Sequence, residues 1–176
     1  MVLLAALVIS SPPTADHAPV WLDKSLAGYQ VAHDGARSQV GIYDAARGFY
    51  LVRSVECDGA HIGVILTRDR HVVKNWGYEV PSLPETKGGQ ALETKSLASL
   101  ETAHGIKIGD DVKTLRARLG APTNVNRSGS RNQFRNHNYI WRNVKNGVGE
   151  IWKNEYVFKE GRIIEIILAR DLVPGC

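Results

Sequence analysis

Six histidines, two cysteines and one pair of adjacent aspartates are the residues of this chain whose chemistry could go beyond packing. His17, His33, His61, His71, His104 and His137 are scattered. No two stand at a spacing that presents two imidazoles to one metal ion, and no H-E-x-x-H occurs. Cys57 and His61 could be drawn as nucleophile and base, but the Asp58-Gly59 turn between them makes them cross-strand neighbours for structural reasons. No third group is in view to orient the imidazole. Asp110 and Asp111 lack a third ligand nearby in sequence and read better as helix caps than as a metal pair. There is no G-x-S-x-G elbow and no glycine-rich phosphate loop. The residues therefore imply no catalytic set, no cofactor and no metal. A hydrolase with a dispersed site stays open, because acid and base groups can converge from distant positions.

The surface feature with most character lies at 124–146. Arg131, Arg135 and Arg142 are interleaved there with Phe134, Tyr139 and Trp141, among seven asparagines and with no acid between Asn124 and Gly149. These six residues form the candidate binding surface. Arginines beside aromatics can grip phosphates and stack on bases, and they are also common anchors of protein interfaces. A third reading is a solvated edge strand whose arginines discourage aggregation. The charge is uneven: the chain carries +4 overall. Nine Lys/Arg stand against ten Asp/Glu up to residue 100, and thirteen against eight beyond it. That asymmetry suits a protein partner or another anionic partner.

The elements that must position these residues are clearest at 104–123. Ile106 and Ile108 alternate with Lys107 and Gly109, the period of a half-buried strand. Asp110 or Asp111 can cap a helix on which Val112, Leu115 and Leu119 share one face. Gly120 can close that helix and Pro122 prevents its continuation. This run, Gly105-Ile106-Lys107-Ile108-Gly109-Asp110-Asp111 followed by Leu119-Gly120-Ala121-Pro122, resembles an element of small exported bacterial proteins. Those are the outer-membrane assembly lipoproteins and the domains shaped like β-lactamase inhibitory protein. The resemblance covers roughly residues 96–170. It implies a small exported binding fold and carries little about function, because such folds host scaffolds and inhibitors alike. The chain departs from the lipoproteins in having no cysteine near its start, so membrane anchoring is not implied.

After the helix, residues 133–142, 150–158 and 162–170 read as strands. Trp152, Tyr156 and Phe158 share one face of one strand, and Ile164, Ile166 and Leu168 share one face of the next. Glu160-Gly161 supplies the hairpin between them. Upstream, 48–57 and 60–67 flank Asp58-Gly59 as a second hairpin with a two-residue turn. Tyr29–33 and 39–43 read as a preceding strand pair, and 70–78 as a further strand. A short helix is expected near 90–95. The expected fold class is α+β, an antiparallel sheet with a helix packed on one face, preceded by a β-rich N-terminal half.

Four segments follow. Residues 1–18 read as an export signal or its remnant, because Val2 to Ile9 form an apolar run too short to span a bilayer. Residues 19–80 are the β-rich half, 81–95 a Pro- and Gly-bearing linker, and 96–176 the α+β domain. A periplasmic or secreted location follows from the signal. In that compartment Cys57 and Cys176 could close one disulfide. The resulting reading is an exported, non-catalytic binding or scaffold module. An inhibitor of a secreted enzyme and the dispersed-site hydrolase are its alternatives. Export argues against nucleic acid as the partner, and no transmembrane span is expected.

Overall fold

The computed structural model describes residues 19–31, 39–80, 83, 88–129 and 133–175. One sheet of eight strands organises them. The strands are β3 (Val40–Asp44), β4 (Phe49–Glu56), β5 (His61–Thr67), β6 (Glu93–Thr94), β7 (Asn124–Ser128), β8 (Phe134–Lys145), β9 (Val148–Lys159) and β10 (Arg162–Val173). Their spatial order is β6-β3-β4-β5-β10-β9-β8-β7. The pairs are antiparallel except β3 with β6, which is parallel. A small hairpin of β1 (Ser25–Leu26) and β2 (Tyr29–Gln30) lies outside the sheet. Because β5 pairs with β10 over seven residue pairs, the N-terminal and C-terminal halves share one sheet.

Each strand alternates sides, so the sheet has two faces with different fates. The inner face carries Leu51, Val64, Leu66, Ile166, Leu168, Tyr156 and Trp152, all in one buried cluster. Helix α2 (Val112–Leu119) covers part of it with Leu115 and Leu119, and irregular segments add Leu22, Leu26, Leu97 and Ile106. Among the described residues, the outer face is covered mainly over β3, β4 and β5, where Val73 of helix α1 (Arg70–Asn75), Tyr78 and Val80 join Tyr50, Val52 and Ile65. Gly63 is what lets Trp76 lie flat there, since an added Cβ would meet the indole at 2.8 Å.

This overturns the α+β expectation. The chain is mostly β: α2 is eight residues long and α1 six, against three consecutive strands of twelve. The helix stripe Leu115 and Leu119 does reach the core beside Trp152, Tyr156 and Ile166. However, α2 shares the cover of that face with coil segments, and the sheet is mixed rather than antiparallel.

Four local expectations also change. Of residues 70–78, 70–75 form α1 rather than a strand, because the Asp69 carboxylate accepts from His71 N at 2.8 Å and caps a first turn. Residues 29–30 pair with 25–26 and β3 pairs with β4 and β6, so 29–30 are not partners of 39–43, and residues 32 and 33 lie outside the described residues. Residues 93–94 form strand β6 against β3 instead of a helix. The β4–β5 connection takes four residues between the paired Glu56 and His61, with Cys57, Asp58 and Gly59 all at positive φ, rather than a two-residue turn. Asp111 is the N-cap of α2, accepting from Thr114 N at 2.7 Å, and Asp110 accepts from Lys107 N at 3.0 Å.

Candidate functional site

Among the described residues, the cover of the outer face ends with α1. There β10 pairs with β9 in a register that slips between Ile163 and Glu165, leaving Ile164 as an extra residue. A bulge of this kind re-aims side chains. Ile164 therefore leaves the inner stripe expected for Ile164, Ile166 and Leu168 and lines the outer cleft together with Glu165. The cleft has a volume of about 500 Å³. Val72, Arg68 and Asp69 form one wall, Phe134 and Ser128 the other, and Val157, Ile164 and Glu165 lie between them. That size falls in the range of small-molecule sites, roughly 300–1,000 Å³.

Three carboxylates converge here in different states. Glu155 is buried and satisfied: it pairs with Lys153 and accepts from Asn136 Nδ2 at 2.6 Å. Asp69 is occupied by its capping bond to His71 N. Glu165 is half-buried and forms no ion pair among the described residues. Burial pushes its carboxyl up to about 7, the Thr67 hydroxyl bond opposes this, and the Asp69 and Glu155 charges add to it.

A pH dependence follows. The unfolded group titrates near 4.5 and the folded one near 7, so the folded state favours the neutral acid. The contribution of Glu165 to stability is complete below about pH 4.5 and is lost as pH rises through about 7. Glu165→Gln cannot ionise. In urea melts it should gain on the parent by on the order of 1–3 kcal/mol between pH 4.5 and 8. Parallel pH curves for the two proteins would show that this carboxyl is solvated.

The residues expected to bind are not brought together. Arg131 lies outside the described residues. Tyr139 and Trp141 point inward, 1% and 9% exposed, and belong to the core. The Tyr139 hydroxyl donates to Gly120 O at 3.0 Å. Phe134 lines the outer cleft, whereas Arg135, one residue along, lines a separate pocket with Val112 and Phe158. Arg142 shares the parity of Phe134 but stands eight residues away, about 26 Å along the strand.

His17 and His33 lie outside the described residues, and the described His61, His104 and His137 lie apart in separate surroundings. His61 Nδ1 lies 2.8 Å from Asp171 Oδ1 across the β5–β10 pair. His137 is buried against Phe158, its Nδ1 without a partner, and burial followed by Arg116 and Arg135 holds its pKa down. His104 Nδ1 lies 2.6 Å from Asp23 Oδ1. The Asp23 carboxylate also accepts from His104 N (2.9 Å) and the Tyr156 hydroxyl (2.7 Å). The Asn154 amide, in the orientation that satisfies both partners, brackets the Asp23 backbone. This cluster ties segment 19–31 and loop 101–107 to β9, and its bonds are spent on that tether. No group of three or more His, Cys, Asp or Glu residues suits a metal ion among the described residues. No described helix is long and apolar enough to cross a membrane.

Comparison with known protein families, with curated proteins and with solved structures finds no match to this chain.

Proposed function

We propose that this protein is a non-catalytic binding module, exported to the periplasm or beyond, whose ligand sits in the cleft around Glu165. The observation that carries the reading is the bulge. It turns Ile164 out beside Glu165, which strand parity already sets on the outer face, so a half-buried carboxyl with no ionic partner among the described residues stands in an apolar-walled cleft. Of the Arg-aromatic segment, Phe134 belongs to this cleft. An NMR screen of a mixed fragment library tests the reading. Shifts should cluster at the amides of Thr67, Phe134 and Glu165. Clustering at the β8–β9 tip around Val144 and Val148, or on the Arg142 end of β8, would overturn it.

One observation favours a hydrolase as a second reading. The Glu165 acid is raised to about 7, and a carboxyl raised in this way can serve as a general acid or base near neutral pH. Turnover that Glu165→Gln abolishes while ligand binding persists would select it.

Export rests on the apolar run of residues 1–18, which lie outside the described residues. N-terminal sequencing of protein from the producing cell should find a start between about residues 11 and 20. An intact Met1 on cytoplasmic protein would defeat it. The Cys57–Cys176 bridge belongs to the same proposal. Cys176 lies outside the described residues, and no described cysteine is free. The end of β10 comes to the loop that bears Cys57: Leu172 N donates to Ala60 O at 2.7 Å, and Gly175 packs on the His61 ring. Unreduced exported protein should therefore show no reactive thiol and one peptide crosslinked between these positions. Two titratable thiols would rule the bridge out.

A further inference from the structure

The reading of the cleft as a ligand seat leaves the ligand's chemistry open, and the lining residues narrow it. We propose that the cleft takes a small amine, its ammonium group paired with Glu165 and its apolar body lying against Phe134, Val157, Ile164 and Val72. This inference rests on that reading.

Two cations line the cleft, Arg68 and Lys159, and neither pairs with Glu165. The Arg68 guanidinium lies 4.2 Å from the centre of the Phe49 ring, and Lys153, outside the lining, pairs with Glu155. Lys159 is exposed at the end of β9, two residues beyond Val157 on the same face. Register sets Val157 directly beside Glu165. Among the described residues, Glu165 is thus left with the Thr67 hydroxyl as its favourable neighbour and with Asp69 and Glu155 as like charges. A half-buried carboxyl in such surroundings is stabilised when ionised only by a cation brought to it.

The shape agrees with the charge. Four apolar side chains line the cleft around one open carboxyl, the arrangement of a site that buries a ligand's body and orients it through one polar group. Glu155, Asn136 and Ser128 are joined by hydrogen bonds, Ser128 Oγ to Asn136 Oδ1 at 3.1 Å and Asn136 Nδ2 to Glu155 Oε1 at 2.6 Å. These groups hold one another and leave Glu165 as the group open to a ligand. The volume of about 500 Å³ suits a small molecule rather than a folded partner.

The probe is phenethylamine, whose ammonium stays charged across the range used, against phenethyl alcohol of the same shape. Binding is followed by NMR on the full chain. The amine should shift the amides of Thr67, Phe134 and Glu165 and bind at least about tenfold tighter than the alcohol at pH 8, as a charged hydrogen bond in a partly dry site would give. Its affinity should rise by about tenfold or more from pH 5.5 to 8, as Glu165 ionises through about 7. Glu165→Gln should reduce the amine to the affinity of the alcohol, with a melt confirming that it folds. The pH series uses the parent protein, so a variant that fails to fold leaves the test decided. Equal binding of amine and alcohol in the cleft would overturn the amine inference and leave the cleft as the ligand seat. Binding of the amine elsewhere, or an affinity flat with pH, would overturn the inference as well. Only the fragment screen's clustering away from the cleft would remove both.

Discussion

Replacing Asp23 with alanine should cost the protein about 3–5 kcal/mol, the usual result of breaking a buried charged network by removing one member. Asp23 is fully buried. Its loss would leave the Tyr156 hydroxyl, the His104 imidazole and the His104 amide without their acceptor at 2.6–2.9 Å. Burial, then the Asp23 charge, raise the Tyr156 phenol well above its ordinary range, so it remains a donor throughout the accessible pH range. Asp23→Asn keeps the volume and one acceptor and should cost less, on the order of 1–3 kcal/mol. The two losses can be read from urea melts. A cycle with Tyr156→Phe should show strong non-additivity, because both side chains sit in one network. Amide exchange should also rise across 22–31, since this carboxylate anchors that segment to β9. A loss under about 1 kcal/mol for the alanine variant would mean that water already solvates the site.

Nothing local in sequence signals this cluster. Asp23 and Tyr156 are joined across 133 positions and Asp23 and His104 across 81, so no spacing rule reaches them. What was legible was short-range. The cap at Asp111, the stop at Gly120, the Lys159–Arg162 hairpin and the inward set Trp152, Tyr156 and Phe158 all follow from turn chemistry and a period of two. The errors have equally physical origins. Residues 70–78 are rich in branched and aromatic side chains, which suggests a strand. The Asp69 cap and the burial of Val73 with Trp76 packed alongside make a short helix instead. The Arg-aromatic segment is contiguous along the chain, whereas a strand sends neighbours to opposite faces, so its two inner aromatics, Tyr139 and Trp141, belong to the core.

The cleft is illegible in sequence for a related reason. Strict alternation in β10 would have placed Ile164 inward with Ile166 and Leu168, and it is the bulge that breaks this. The signal was present as a lone carboxylate inside the run Ile163-Ile164-Glu165-Ile166-Ile167. A charge in the middle of a buried strand requires a reason, and a cleft provides one.

Leu115→Ala should cost about 2–5 kcal/mol, from lost transfer energy plus the cavity left behind. Leu115 is fully buried in the cluster that contains Trp152, Tyr156 and Ile166. The exposed Lys113→Ala on the same helix should stay within about 0.5 kcal/mol. An eight-residue helix has too few turns to persist unaided in water, so α2 exists because this face is packed. Its anchors beyond Leu115 are the Asp111 cap, Leu119, the Ile163–Asp110 and Gly109–Ile163 backbone bonds, and Arg118, which reaches the carbonyls of His104 and Gly105. These set the form the loss takes. If they hold, the helix stays and the full cavity cost appears in the urea midpoint with an unchanged slope. If they give way, amide exchange across Val112–Leu119 rises and the loss stops at the free energy of detaching the helix. A loss under about 1 kcal/mol without such local exchange would mean that Leu115 does not face the sheet, and that the inner layer is closed by the segments around Leu26 and Ile106 alone.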